Sequence, residues 1–431
     1  MLGKLYNFLN NESNERVCTD LAEDACKKVV GNYFRILLAL TFTKLGDTLS
    51  NPKTVLTWLM GYVGAPVYLI SLIVPIRESG SMIPQIAITK YISKRKIRKW
   101  IWVFGALVQC FAIGAIAVVT IYFNGQTAGW LIVICLVLFS LARSFCSVSS
   151  KDVTGKTIPK TRRGRLSGFT VSVSGVLVLL AGLYIIYKSN EDASINFYTN
   201  LIFFASLTWI VAAIIYSRIK EFPGETISEP KTEESFFSKF NLLKTDLQFR
   251  NFVIARSLLL CSALSAPFYV LLAQEYVGKE NYLLGLLIIS NGIASIISSP
   301  FWGKMADKSS KNTMALAVTL ASVVGVVIVI LVLTSETLRR QIWIYPIAFF
   351  LLGIAHGGVR LGRKTYVVDM ATGNQRTDYV SVSNTVIGII LLLTGGISAL
   401  VSLISVEGVI VVLSLFGFYG AFRSYRLPDV E

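Results

Sequence analysis

Along most of this chain, apolar runs of roughly twenty residues alternate with short polar interruptions, the spacing of helices that cross a lipid bilayer. From Trp100 to Ala142 there is no Asp, Glu, Lys or Arg, and the one interruption is the turn-like Asn124-Gly125-Gln126-Thr127. That stretch predicts two helices joined by a tight hairpin. Charge-poor windows bounded by charged or turn residues place spans near 30–50, 63–89, 100–123, 129–150, 166–187, 194–217, 250–274, 281–303, 313–334, 341–359, 379–401 and 407–423. The expected fold is an all-α membrane protein with 12 transmembrane helices in two pseudo-symmetric six-helix bundles. Its expected divisions are an N-terminal segment 1–29, a first bundle 30–217, a central loop 218–249, a second bundle 250–424 and a tail 425–431.

Two features divide the pattern into halves. Arg218 to Phe249 is the longest hydrophilic connector, with Pro223, Pro230 and six acids against five bases. An internal repeat recurs at an offset of 213 residues: Lys151 matches Lys364, Arg163 matches Arg376, Gly175 matches Gly388, and Leu179-Leu180-Ala181-Gly182 matches Leu392-Leu393-Thr394-Gly395. Related halves joined by a polar linker imply parallel repeats around a midplane site.

Composition strengthens the membrane reading. Hydrophobic residues make up 54% and charged residues 15%, well off the balance of a soluble domain. The first 28 residues are polar, lack the apolar core of a secretory signal, and allow a short surface helix over Asn11–Lys28. The loops after spans two, four, eight and ten hold 19 bases and 4 acids, whereas the opposite loops hold 5 bases and 7 acids. Lys and Arg are retained on the cytoplasmic side, so both termini are expected there, in a bacterial inner membrane. This asymmetry accounts for the net charge of +16 without nucleic acid. Cys110, Cys135, Cys146 and Cys261 fall inside apolar spans and read as small hydrophobes. Cys18 and Cys26 match no metal spacing and are expected to be reduced; no metal and no cofactor is expected.

After span eight, Gly303-Lys-Met-Ala-Asp307-Lys308-Ser-Ser-Lys311 resembles the loop pattern G-x-L-x-D-R-x-G-R-R of the major facilitator superfamily. Gly303, Asp307, Lys308 and Lys311 fit it, and Ser310 replaces the second glycine. The resemblance implies a gating loop in which the glycine lets two helices approach and the acid pairs to hold the outward-facing state. The first-half counterpart, Thr89 to Lys96, keeps the bases and lacks the Gly and the Asp.

Ionisable side chains at bilayer depth cost about 2.5–3.5 kcal/mol on insertion scales, so each is a candidate for function. Arg77 and Glu78 lie midway along span two between Pro75 and Gly80; Lys44 and Asp47 are three apart in span one. Each couple is either transport chemistry or a neutralised packing pair, and Lys44 and Asp47 can pair with each other or with the span-two charges. In span four, Arg143, Ser147 and Lys151 form one stripe, mirrored by His356, Arg360 and Lys364 in span ten. Two basic stripes suggest a cavity for an anionic substrate, or for the head groups of anionic membrane lipid at the cytoplasmic end, with Lys151, Arg363 and Lys364 snorkelling to the interface. His356, the only histidine, either relays protons or packs as a carbonyl donor; Arg256 is expected to snorkel. Gly168, Ser172 and Gly175, and Gly395 with Gly396, read as tight helix contacts, and Asn291 and Asn384 as interhelical hydrogen bonds.

The functional expectation is a monomeric secondary transporter moving an organic anion or carboxylate-bearing metabolite, such as a siderophore-like chelator, by alternating access. Arg77, Arg143, Lys44, His356 and Arg360 are its candidate substrate ligands, and Glu78 and Asp47 its candidate proton carriers. The alternative is a proton-driven multidrug or hydrophobic-cation exporter, which needs an uncompensated acid. A sensor or lipid-handling protein is the different class; no catalytic motif supports an enzyme.

Overall fold

The computed structural model describes residues 3, 6, 23–188, 195–223, 238–370 and 375–430. Its long elements are α1 (Val29–Leu49), α2 (Val55–Tyr62), α3 (Val67–Met82), α4 (Gln85–Ser93), α5 (Lys99–Tyr122), α6 (Gly125–Thr157), α7 (Lys160–Tyr187) and α8 (Ile195–Ser217) in the first half. The second half holds α9 (Leu247–Leu258), the short α10 (Cys261–Leu264), α11 (Ala266–Tyr276), α12 (Asn281–Ala306), α13 (Ser310–Thr334), α14 (Ile344–Met370), α15 (Gln375–Ser402) and α16 (Val406–Tyr425). Ten segments among the described residues are long and apolar enough to cross a membrane, with α9 to α11 counted as one. Phe111 at 70% and Leu400 at 68% exposure belong to a wide apolar exterior that only lipid can cover.

The remaining two crossings are α1–α2 and α3–α4. The first corrects the expected span 30–50: the chain does not loop out after Ser50 but breaks and continues to Tyr62. Pro52 removes a helical donor. Local bonds take over, with Asn51 Oδ1 accepting from the Lys53 amide at 2.8 Å and the Pro52 carbonyl accepting from the Thr57 hydroxyl at 2.6 Å. The break puts Lys53 inside the bundle rather than in an outer loop. Gly64, at φ 73°, then makes the turn into α3. The seventh crossing is broken too, at α10, with Pro267 opening α11.

Within the first half, α5 packs on α6 and α8, α1 on α8 and α7, and α3 on α6. In the second, α13 packs on α14 and α16, α12 on α14, and α9 on α16. The halves meet along α3–α15, α7–α12 and α2–α11. Glycines set the closest approaches: a Cβ on Gly395 would lie 2.4 Å from Pro75 Cγ, and one on Gly182 would lie 2.7 Å from Ile289 Cγ1.

Closure is one-sided. On the face away from the chain termini, Gln274 Nε2 donates to the Trp58 carbonyl at 2.9 Å and Lys279 Nζ to the Gly61 carbonyl at 2.6 Å, tying α11 to α2. Toward the termini face, Gly168 and Gly175 on α7 and Gly303 on α12 have no atom within 4 Å of a Cβ position, and Ser295 and Ser299 are exposed. This corrects one expectation: Gly168 and Gly175 are not tight contacts in this state. No helix approaches Gly303 either, and both follow from α7 and α12 parting below Leu179, whose side chain still reaches Gly292. Gly396 also faces open space, unlike Gly395.

Cys26 is disulfide-bonded, correcting the reduced thiol expected there; Cys18 and most of the expected Asn11–Lys28 helix lie outside the described residues, and within the described part Glu23–Cys26 forms one helical turn.

Candidate functional site

The broken first crossing brings Asp47 against two other helices. Asp47 Oδ1 accepts from Arg77 Nη2 on α3 at 2.8 Å and also from Arg143 Nη1 on α6. Arg77 is buried and its guanidinium lies over the Phe139 ring, 5.5 Å from the centroid. Neighbouring residues on a helix point about 100° apart, so Arg77 cannot pair with Glu78. Arg77 instead pairs with the span-one carboxylate, and Lys44 stays out of that contact.

Glu78 lies among bases of both halves. Among the described residues no base lies within ion-pair distance of its carboxylate, yet the charges acting on it most are Lys53, Arg77, Arg143 and Arg363. Lys53 in turn faces Glu78, Arg363, Arg360 and Arg77, and Lys44 faces Arg360. Lys53 Nζ lies 3.3 Å from His356 Nε2, and Ser262 Oγ lies 3.4 Å from His356 Nδ1. An ammonium has only donors, so His356 Nε2 accepts and the ring is neutral in this arrangement. The carbonyl partner expected of His356 is replaced by these two side chains. The junction of the halves therefore gathers Lys44, Lys53, Arg77, Arg143, Arg360 and Arg363 against two acids, Asp47 and Glu78. A cavity of about 480 Å³ opens beside Asp47 and Arg143 and reaches Ser147, Lys151 and Arg163. A larger cavity, about 720 Å³, lies between α1, α7 and α8; its lining is mainly apolar with Lys188 as its one base, so it suits lipid chains better than a polar solute.

The comparisons with known proteins fit this geometry. A family model described as Major Facilitator Superfamily matches residues 36–334 and again 260–430. The chain belongs to the major facilitator superfamily. Solved structures similar to this facilitator include a D-xylose-proton symporter, at TM-score 0.71 and 10% identity over 93% of this chain and 98% of that one. The nucleoside transporter NupG aligns at TM-score 0.65 and 11% identity, covering 92% and 99% of the two chains. The xylose transporter XylE from E. coli, in an inward-open conformation, aligns at 0.65 and 12%, covering 93% and 97%. No curated protein matches the sequence. The chain is thus an integral multi-pass membrane protein with the facilitator fold, a secondary transporter of twelve crossings.

The facilitator's gating-loop residues do not bridge the halves here. Asp307 and Lys308 are exposed, and Lys311 pairs with Asp429 of its own half at 2.8 Å. The corresponding end of the first half is held by a cluster that sequence reading missed. Glu221, with a fully buried side chain, accepts from the amides of Arg98 and Lys99 at the start of α5, while Asp152 accepts from Arg98 and forms an ion pair with Lys156 at 2.9 Å. Asp and bases four apart on α6 were a visible signal; Glu221, across the chain, was not.

Two further expectations change. Arg256 does not snorkel: it is 6% exposed and bridges α9 to α15, donating to Ser383 Oγ at 2.5 Å and Asn384 Oδ1 at 2.8 Å. Arg363 is half-buried beside Glu78 and Arg360, whereas Lys151 and Lys364 are exposed, Lys151 on the cavity beside Arg143. The side chain of Arg376 lies outside the described residues.

Proposed function

We propose that this facilitator carries an organic anion bearing a carboxylate, by alternating access around the junction of α1, α3, α6 and α14. The observation that carries the reading is the excess of bases there: six against two acids, drawn from both halves. In a low-dielectric interior such an excess favours an anion strongly. Lys44, Arg77, Arg143, His356 and Arg360 are the proposed first contacts, and Lys53 joins them. The cation-exporter reading needs an acid without basic neighbours, but Asp47 is held by two guanidiniums and Glu78 faces four bases.

The proposed coupling ion is the proton, carried by Glu78. Its carboxylate faces bases without bonding them, so an arriving anion competes for those bases and frees Glu78 to take a proton. The proposed setting is a bacterial inner membrane with the termini cytoplasmic, which makes this the inward-open state. Closing the crevice would bring α7 onto Gly303 and give Asp307 a partner.

The test is uptake of radiolabelled carboxylates into proteoliposomes. Lys44→Gln and Arg360→Gln each remove a base outside the Asp47 contact and should raise the half-saturating concentration about tenfold, the loss of one charge-assisted bond. Wild-type affinity in both variants would remove the anion reading. Glu78→Gln should abolish pH-driven flux and leave exchange intact; an unchanged pH dependence would sink the proton role.

A further inference from the structure

The two halves treat their buried guanidiniums differently. In the first half Arg77 and Arg143 share one carboxylate oxygen of Asp47. In the second half Arg256 is buried as deeply as Arg77, and its partners among the described residues are neutral, the hydroxyl of Ser383 and the amide oxygen of Asn384. Its Nε is buried with no hydrogen-bond partner. Among the described residues, the charge set against it is a second cation, Arg363 on α14. Arg363 is half-buried and makes no ion pair among the described residues.

A buried guanidinium without a counter-anion is costly, by several kcal/mol relative to water. Natural proteins keep such a charge where something else neutralises it part of the time. Arg256 offers a planar fork of donors, of which the unpartnered Nε and the free hydrogens of Nη1 and Nη2 remain. Two protein bonds hold the fork still, so little side-chain freedom is left to lose when an anion arrives. Ser383 and Asn384 sit on α15, which also packs on α3, the helix that carries Arg77 and Glu78.

We propose that Arg256, with Arg363 and Asn384, forms a second-half subsite that binds a carboxylate of the transported solute. This rests on the anion reading above and makes it more specific. Asp47 does for the first half what the solute's carboxylate does for the second. A solute anchored at Arg256 would draw α9, α14 and α15 together, while its remainder met the bases of the first half. A solute with two or more carboxylates, spaced to span both sets, fits better than a monocarboxylate.

The experiment is thermal unfolding of the detergent-purified full chain with acetate, succinate, citrate or inorganic phosphate, each against sodium chloride of equal ionic strength. Wild type, Arg256→Met and Arg256→Lys are compared. The expected result is stabilisation of wild type by succinate or citrate beyond acetate. In Arg256→Met the half-saturating concentration rises about 10- to 100-fold, the loss of bonds to a charged group. Arg256→Lys keeps the charge but not the fork and falls between. Without ligand, Arg256→Met should unfold at or above the wild-type temperature, because an apolar side chain of similar length removes an unneutralised charge. A clearly lower unfolding temperature for ligand-free Arg256→Met would make the residue a structural bridge and overturn the subsite. Equal stabilisation of wild type and Arg256→Met would overturn it and leave the anion reading standing. Stabilisation by phosphate alone through Arg256 would overturn the carboxylate. No stabilisation of wild type by any of the four would remove the anion reading and the subsite together.

Discussion

Asp47 carries more consequence than any other single side chain here, because two guanidiniums share one of its oxygens. Taking away one partner of a buried pair costs about 3–5 kcal/mol, since the other charge is left without compensation. Arg143 keeps 35% of its side-chain surface in contact with the cavity, so water offsets part of its loss. Asp47→Asn should therefore lower the unfolding free energy in micelles by about 3 kcal/mol, and adding Arg143→Gln should return part of it. A double variant no more stable than Asp47→Asn would show that Arg77 alone depends on the carboxylate. That these residues are ionisable and buried was legible in the sequence, through their rarity in apolar runs. Their partners were not. Arg77 stands next to Glu78 in the chain, and only the helix twist and the approach of α1 direct it to Asp47 instead. Arg256 gave no clue at all, because a base near a span end has the same sequence signature whether it snorkels or bridges.

At the scale of helices, small residues matter only where another helix arrives. Gly395 faces the rigid ring of Pro75, and its Cβ position lies 2.4 Å from Pro75 Cγ. Gly395→Val should push α15 from α3, lower the unfolding temperature and slow transport in proteoliposomes. Gly175→Ala, on a helix surface facing open space in this state, should leave the unfolding temperature within about 1 °C of wild type; the expected change is within the small spread of substitutions away from packed features. Both substitutions raise helix propensity, so a comparable loss in both would mean that close approach to α3 is not what sets Gly395 apart. The repeated spans, their lengths and the polar connector were readable from hydropathy, since lipid forces every crossing to be a long apolar helix. The break at Pro52 was not. A proline with polar neighbours reads as a loop in sequence, and whether the chain leaves the membrane there depends on what re-satisfies the freed backbone. Here Asn51 and Thr57 do so.

For the whole molecule, hydrogen bonds from the side chains of Gln274 and Lys279 help hold the face away from the termini shut, beside a third from the Tyr198 hydroxyl to the Lys279 carbonyl at 3.2 Å. Each is worth about 1 kcal/mol net, so Gln274→Ala with Lys279→Ala should shift the balance of states by about 30-fold away from the one described. Labelling of Ser299→Cys, exposed in the crevice between α7 and α12, should slow accordingly in the double variant; unchanged labelling would mean that the α7–α12 glycine contacts alone set the state. The sequence by itself determined the class of this protein: a membrane chain of twelve crossings in related halves, because hydropathy, loop charge and repeats are local quantities that lipid reads one segment at a time. The tertiary structure alone decided which charges meet, where the bundle opens and which guanidinium, among the described residues, bonds neutral groups rather than a carboxylate. Those depend on contacts between segments hundreds of residues apart, and no local pattern records them.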